Sequence, residues 1–517
     1  MHPPSRHSHI GRDLAAVAVA SIAAYAASLG GYFLSDDFHV VTLLNTARSA
    51  VDWRNALSDF IGVYRGDPTH SYYRPLITLS AAIDYTLWGP NPFGGHLTNL
   101  LLNMLNGLLV YGIARTLPPP PAREVALTAG LLFSLHPLHP EAVYWLVGRT
   151  ELIMTCFVLL SILAYLLYAA RRRAIWLWLS ILAFALALAS KETAVVVPFA
   201  LTLHRLLYRD ADSRHPTLRA LAPVVPHYVL LVAYLAFRKA ITGHVVGRYG
   251  EMTTNLVAPS LMPRGLIHLV AYQLYPIGGD LLASAGDEIL GEIPRRLMNP
   301  LGWLLVLTIV AVVIAGRMDR RAWFCLGLML ISASPLLSLF AERGSPDDAP
   351  RIYYLPSAGF CLLLAALLVG TAPRLRRWLT SIIMVAFSLL LAANSLPWIR
   401  AGRITSEVLR SIERAANAPG VNRVVVIGRP DFYFGAELFG DRGWALAVAA
   451  APPFARIPPG TRIIAAPEDA CGRFARGELR DDEGTRVLKW DAERLSLDGV
   501  AWGRMPEICR ALPQGTS

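Results

Sequence analysis

The stretch LAAVAVASIAAYAASLGGYFLSDDF, Leu14–Phe38, decides the fold. From Leu14 to Leu34 it carries no charged side chain. That is long enough to cross a hydrocarbon core, which takes about 20 residues. The run then ends abruptly in Ser35-Asp36-Asp37-Phe38. Two adjacent carboxylates at the lip of a membrane helix are costly there, and such charges usually mark a pathway, a site or a partner. The pair is therefore expected to face an extracytoplasmic catalytic cavity, with the rest of the chain as its scaffold.

The wider composition agrees with a membrane reading. The chain has 517 residues, 54% hydrophobic and only 16% charged, with a mean hydropathy of +0.43. A soluble protein of this length carries more charge. Apolar runs recur from Leu14 to about Trp398, and almost nothing beyond residue 400 resembles them. The expected fold class is an α-helical polytopic membrane protein with a small C-terminal α/β soluble domain. Residues 1–399 form the membrane domain and residues 400–517 the soluble one. The tail opens with an amphipathic helix over Ile404–Ala416. Its strands are expected at Val424–Ile427, Arg462–Ala465 and Arg486–Trp490. No internal repeat is visible, and in particular none with a period of about 34 residues.

Net charge is +11, but a nucleic-acid partner is a poor explanation. The tail from residue 400 holds 17 basic and 15 acidic side chains, so it is nearly neutral. The excess lies in short clusters between apolar runs: Arg171–Arg173, Arg205–Arg219, Arg317–Arg321 and Arg374–Arg377. That is the pattern of cytoplasmic loops. Placing these clusters and the N-terminus inside puts 35–74 (the first outer loop), the His136–Arg149 region, Lys191-Glu192, Glu342–Arg351 and the tail outside. Leu14–Leu34 is then an uncleaved signal anchor in the cytoplasmic (inner) membrane. Twelve long apolar stretches are present, yet this sidedness needs an odd number. About 11 spans are expected, with Gly265–Ile277 re-entrant or interfacial. Within the first outer loop, the segments around Val51–Trp53 and Phe60–Tyr64 read as amphipathic helices on the membrane surface.

Of five cysteines, Cys156, Cys325 and Cys361 lie in apolar runs and read as small core residues. Cys471 and Cys509 lie in the outer tail, where a disulfide between them and two free thiols are both open readings.

This sidedness collects unusual polar residues on one face: Asp36, Asp37, Arg74, His96, His136, His139, Glu141, Arg149, Glu151, Lys191, Glu192, Glu342, Arg343, Arg351, Tyr353 and Tyr354. A sugar carried on a lipid phosphate would use such a set. The acceptor hydroxyl needs a carboxylate base as it attacks the sugar carbon. The departing phosphate needs no general acid, but it does need cations, and guanidinium groups match phosphate oxygens.

Six motifs then carry a family resemblance: Ser35-Asp36-Asp37, Tyr72–Leu76 (YYRPL), His96–Leu101 (HLTNLL), His136–Leu152 (HPLHPEAVYWLVGRTEL), Ser190-Lys191-Glu192 and Arg351–Ser357 (RIYYLPS). In this order, over about residues 14–400, the chain resembles the C-type (GT-C) integral-membrane glycosyltransferases, and among them the transmembrane, tetratricopeptide-containing O-mannosyltransferases. The resemblance implies transfer of mannose or another hexose from a polyprenyl-phosphate donor, on the extracytoplasmic face, with inversion. It implies catalytic roles for Asp36 and Asp37. Two departures stand out: the small tail domain takes the place of the family's repeats, and Asn103 stands where a histidine often ends the third motif. The acceptor is therefore open among protein, polysaccharide and lipid.

Asp36 is taken as the base and Asp37 as its support, with the reverse assignment open. Donor phosphate or substrate contact is assigned to Arg149, Lys191, Arg351, Tyr353, Tyr354, Arg74, His96, His136, His139, Glu141 and Glu192. Each has a plainer reading: lipid-snorkelling anchors for Arg149 and Lys191, interface aromatics for the tyrosines, loop ordering for Arg74, and a helix start for His96. His136-x-x-His139-x-Glu141 lacks the i, i+4 histidine spacing of a helical zinc site, so no metal ligand is assigned. A divalent cation such as Mg or Mn near Asp36 is left open. The rival class is a transporter or flippase of lipid-linked sugars, which calls for ionisable groups buried mid-span and symmetry between halves.

Overall fold

The structure is a computed structural model. It describes residues 6–46, 74–118, 123–209, 221–242, 262–274, 318–337, 350–368, 371–428, 431–440, 444–464, 467–477, 479, 484–491 and 494–511. The expected surface helices around 51–64 and the apolar run 301–315 lie outside these residues.

The membrane part begins with α1 (Arg6–Tyr25), a 3-10 turn over Ala26–Gly30 and α2 (Asp36–Thr46). Then come α3 (Pro75–Trp88), α4 (Pro92–Thr116), α5 (Arg123–Ser134), α6 (Pro140–Tyr144), α7 (Arg149–Arg171) and α8 (Ala174–Leu188). The series continues with α9 (Val197–Leu207), α10 (Val225–Thr242), α11 (Met262–Leu274), α12 (Arg320–Ala333), α13 (Tyr354–Leu368) and α14 (Pro373–Ala416).

Among the described residues six helical segments are long and apolar enough to cross a membrane: His9–Gly30, Pro92–Thr116, Leu146–Arg171, Ala222–Ile241, Pro350–Leu368 and Pro373–Ala416. Residues 192–207 divide into a 3-10 turn, Glu192–Val196, and the short α9. In the expected re-entrant or interfacial segment, Leu269, Val270 and Tyr272 of α11 are buried.

Small and polar side chains set the closest helix contacts, as in membrane interiors generally. Arg172, in left-handed conformation, turns α7 back into α8. There Ser161 Oγ donates to Ser180 O, and Ser180 Oγ to Ser161 O, each at 2.8 Å. Gly359 lets α13 lie against α12, since a Cβ there would meet Met329 Cα at 2.7 Å.

α3 runs through Asp84, whose carboxylate is paired with Arg149 and accepts from Thr98 Oγ1 at 2.7 Å. One boundary differs from expectation: the break near residue 399 is missing, and α14 runs unbroken for 44 residues through Pro397. Its buried stripe continues past the proline with Trp398, Ala401, Thr405, Val408 and Ile412. The expected tail helix Ile404–Ala416 is thus the far end of this one helix, shared between membrane part and tail.

The tail contains β1 (Arg423–Ile427), β2 (Phe432–Tyr433), β3 (Ala436–Glu437), α15 (Trp444–Ala449), β4 (Arg462–Ile464), α16 (Pro467–Ala475), β5 (Thr485–Asp491), β6 (Ser496–Val500) and α17 (Met505–Ala511). Four strands form a sheet in the order β4-β1-β5-β6. β1 is parallel to both neighbours, with Val425 opposite Ile464 and Val487, and β6 is antiparallel to β5. Val424–Ile427 are fully buried, as the unbroken apolar run of a central parallel strand requires. Cys471 and Cys509 form a disulfide that ties α16 to α17, while the other three cysteines are buried and free.

Candidate active site

The two carboxylates that end the first apolar run do different things. Asp37 is buried. Its carboxylate accepts the backbone N–H of Leu34 at 2.9 Å and that of Val147 at 3.0 Å. It therefore staples the start of α2 to the turn between α6 and α7. Asp36 is half-buried and is the first residue of α2. Ser35 makes the abrupt entry with a φ of 45°.

The segment from His136 to Arg149 builds the floor. Trp145 donates its indole N–H to Leu34 O at 3.2 Å, directly before the acidic pair. Asn99, on α4, directs its amide at the carbonyls of Val143, Trp145 and Leu146, which fixes the turn holding Asp37. His96 is fully buried, and a Cβ on Gly31 would lie 2.6 Å from its Nε2, so it packs against the break between α1 and α2.

Each cation assigned to donor phosphate is engaged by a carboxylate. Arg149 lies 2.6 Å from Asp84 and donates to the carbonyls of Leu146 and Gly95. Lys191 is buried against Glu151. Arg74 meets Glu192 at 2.6 Å, and Arg238 approaches the same carboxylate at 3.9 Å. Arg351 pairs with Glu141, which also accepts its backbone N–H at 2.7 Å. Its guanidinium lies 4.8 Å from the centre of the Trp145 ring. At 30% side-chain exposure Arg351 is the most open of these four, against 5% for Arg149 and 6% for Lys191.

The remaining assigned residues are inside the helix bundle. Tyr354 is fully buried, donating to Asn103 Oδ1 at 2.8 Å and accepting from Asn106 at 3.1 Å. Asn103, the family's frequent histidine position, is thus that tyrosine's partner. His139 contacts Ser357 Oγ at 2.8 Å and stacks near Tyr354 and His136. Tyr353 is buried with Tyr272, their rings edge to face. Among the described residues no three His, Cys, Asp or Glu side chains are grouped to hold a metal ion.

A cleft of about 570 Å³, open mouth included, runs between α2, α3 and the 146–149 turn. Phe33, Val40, Val41, Leu44, Ile77 and Ala81 give it apolar walls, and Asp37, Asp84 and Arg149 a polar end.

Burial pushes the Asp37 carboxyl up to about 8, partly offset by its two backbone hydrogen bonds. Glu192 shows the opposite balance. Burial opposes its charge, but Arg74 above all holds it down to about 2. Glu437, from the tail, is pushed up to about 7 by burial and by the charge of Asp36. Glu437, Trp145 and Asp84 were not singled out as site residues on sequence. Trp145 lies within a quoted motif and Asp84 within an apolar run, so both carried a signal; Glu437 is one of 15 tail acids and carried none.

A family profile described as dolichyl-phosphate-mannose-protein mannosyltransferase matches residues 70–239. Among curated relatives, Protein O-mannosyl-transferase F38B6.6 of Caenorhabditis elegans is 27% identical over 367 residues, 68% of this chain and 51% of that one. Human Protein O-mannosyl-transferase TMTC4 is 26% identical over 66% of this chain and 53% of its own length. Drosophila melanogaster Tmtc1 is 37% identical over 36% of this chain and 22% of its own. The chain spans about half the length of the first of these relatives. Among solved structures, apo ArnT from Cupriavidus metallidurans superposes with a TM-score of 0.45 at 12% identity, covering 95% of this chain and 94% of that one. The resemblance to the transmembrane, tetratricopeptide-containing O-mannosyltransferases thus extends to sequence matches over two thirds of the chain.

Proposed function

We propose that the chain is an inverting membrane glycosyltransferase. It moves mannose or another hexose from a polyprenyl-phosphate donor to a hydroxyl of a protein, polysaccharide or lipid acceptor. The reading places the chain in the inner membrane with about 11 spans and the acidic pair outside. The observation that carries it is the division of labour at the pair. Asp37 is buried and accepts two backbone N–H groups that hold the loop, while Asp36 beside it is half-exposed and is the group to which this reading gives the acceptor's proton. The names of the relatives, all protein O-mannosyltransferases, support the reaction class.

In this mechanism the acceptor oxygen attacks C1 of the sugar from the side opposite the phosphate. The new C–O bond forms as the bond from C1 to the phosphate oxygen breaks, and the phosphate leaves with the electron pair. The acceptor proton passes to Asp36. Arg351, stretched over Trp145, is the cation best placed to reach the leaving phosphate, exchanging part of its pairing with Glu141 for it. Arg149, Lys191 and Arg74 act behind it by keeping the buried carboxylates neutralised. The apolar cleft beside Arg149 suits the first isoprene units of the donor.

The test is Asp36→Asn in liposomes with a polyprenyl-phosphate mannose donor. Loss of a general base costs on the order of 10²–10⁴ in rate, with donor binding and melting temperature retained. Transfer at the wild-type rate by that variant would end the assignment. Movement of donor across the bilayer with no new glycosidic bond would favour the flippase class.

A further inference from the structure

We infer that Phe439 and Phe454 of the C-terminal domain are positioning residues for the acidic pair, so that the reaction needs the docked domain as well as the helix bundle. The inference deepens the transferase reading above and rests on it for the role of Asp36 as base.

The acidic pair stands between two buried aromatic residues, Phe33 and Phe38. The tail grips both. Phe439 stacks on Phe38 with centroids 6.1 Å apart and planes 15° from parallel. Phe454 meets Phe33 and Phe38 edge-on, at 5.3 and 4.9 Å, so a single ring bridges the two sides of the pair. Offset-stacked and edge-to-face rings are the favoured arrangements of aromatic neighbours. Between them, Ser35 donates its backbone N–H to Leu438 O at 2.8 Å. This grip matters because α2 is only 11 residues long and begins at Asp36 itself. A helix of that length is marginal on its own and takes its place from tertiary contacts. From the bundle side, the same segment is held by the two backbone bonds of Asp37 and by the Trp145 indole.

Each gripping ring is itself held from behind. Phe439 follows the β2–β3 hairpin, which turns through Phe434 and Gly435 at φ values of 46° and 80°, as a tight two-residue hairpin does. Leu438 closes that hairpin by donating its N–H to Asp431 O at 2.8 Å. Phe454 lies two residues before Arg456, whose N–H donates to Glu413 Oε1 at 3.1 Å and whose carbonyl accepts from Asn417 Nδ2 at 2.8 Å, at the far end of α14. Nearer the membrane, α14 presses on the same segment: a Cβ on Gly402 would lie 3.0 Å from Tyr32 N. The apolar core carries the connection across. Val424 and Val426, on one face of β1, share a core with Phe38, Phe439 and Trp398. Val425 and Ile427, on the other face, join Val487 and Ile508 in a separate core. The tail can thus be weakened on its outer face without touching α2. A general base must lie within hydrogen-bond reach of the hydroxyl it deprotonates, and a misplacement of about 1 Å can cost on the order of 10² in rate. Loosening the two rings should therefore cost turnover rather than donor affinity.

The experiment uses the full chain in lipid nanodiscs, with undecaprenyl-phosphate mannose as donor and a serine- and threonine-rich peptide as acceptor probe. Turnover is read as released undecaprenyl phosphate, which counts transfer to peptide and to water alike. Phe439→Leu keeps an apolar side chain and removes the stack, and Phe454→Ala removes the bridge. Val487→Ala, in the separate outer core, is the control for a merely destabilised tail. Hydrogen exchange over residues 33–40 should quicken roughly tenfold or more in the two ring variants, as local opening frees the Ser35 N–H, and stay at the wild-type rate in Val487→Ala. In the ring variants kcat should fall roughly tenfold to hundredfold, with the Kd for undecaprenyl phosphate unchanged. Val487→Ala should keep the wild-type kcat below its melting temperature. Exchange over 33–40 that neither ring variant alters overturns the inference. So does a kcat that stays at the wild-type value after exchange has quickened, or one that falls equally in Val487→Ala. If exchange responds as expected but wild type releases no undecaprenyl phosphate, the transferase reading fails and the grip of the tail on the acidic segment stands.

Discussion

Two groups of charges lie close together in this molecule and are built on opposite plans. Around the inner ends of α3, α7 and α8, cations and carboxylates are matched: Arg149 with Asp84, Lys191 with Glu151, Arg74 and Arg238 with Glu192. At the rim, Arg351 pairs with Glu141 and lies over Trp145, and Glu437 is held up in part by the charge of Asp36. In the matched set Arg149, Glu151, Lys191 and Arg238 are buried, and Arg74, Asp84 and Glu192 are half-buried. At the rim Asp36, Glu437 and Arg351 are half-exposed, while Glu141, which Arg351 pairs with, is buried. A charge that is to meet a substrate cannot already be fully compensated. The inner pairs therefore read as the frame, and the rim as the working edge.

The largest effect separating the two should come from breaking an inner pair. Glu151→Ala leaves the Lys191 ammonium buried without a partner, and removing one member of a buried pair costs about 3–5 kcal/mol. The expected outcome is a large fall in melting temperature and in folded yield. Replacing both members with apolar residues, Lys191→Met with Glu151→Leu, should recover most of that loss. If the double variant is no more stable than the single one, the pair has a role beyond compensation and the frame reading is wrong.

The rim should answer differently. Arg351→Lys keeps the charge but loses the planar fork and its stacking on Trp145, and lysine does not replace arginine at such a site. Stability should change by less than about 1 kcal/mol, since the group is partly exposed. Transfer should fall roughly tenfold to a hundredfold, the equivalent of one charge-assisted hydrogen bond. Steady-state transfer and a thermal melt on the same preparation check both halves. An unchanged rate with a lowered melting temperature would move Arg351 from the edge to the frame.

These plans were unevenly legible in the sequence. The residue types were plain: an acidic pair ending an apolar run, and lone cations among apolar residues, announce themselves by their cost. Their pairings were not. Arg149 finds Asp84 65 residues earlier, and Arg351 finds Glu141 210 residues away. Only tertiary packing chooses such partners, so Arg351 and Arg74, which read as phosphate clamps, are held by Glu141 and Glu192, which read as substrate contacts, while Arg149 is held by Asp84, which was not assigned to the site. In the tail, the run Val424–Ile427 foretold its central strand, because four consecutive apolar residues suit a strand buried on both faces. The continuity of α14 through Pro397 was hidden, since hydropathy drops there while the buried stripe does not. Glu437 was hidden for a different reason: an acidic residue in a charged tail has no unusual cost until the domain docks.

The smallest effect, and the one that reads the two plans in a single measurement, is the dependence of stability on pH. Glu192 in the matched set is held down to about 2. The unfolded chain takes up this proton near 4.3, so its contribution is complete above that value and is lost as pH falls through the folded value. Glu437 is pushed up to about 7. Between about pH 4 and 7 the folded state holds a proton that the unfolded chain has released. Its contribution is therefore complete below the unfolded value and is lost as pH rises through the folded one. Melting temperatures should accordingly decline on both sides for separate reasons. Glu192→Gln should flatten the acid limb only, and Glu437→Gln should remove its share of the decline between about 4 and 7, leaving that of Asp37, which is pushed up to about 8. If Glu437→Gln flattened the acid limb instead, Glu437 would be a compensated charge like Glu192, and the contrast between the matched frame and the rim would collapse at the residue where the tail meets the site.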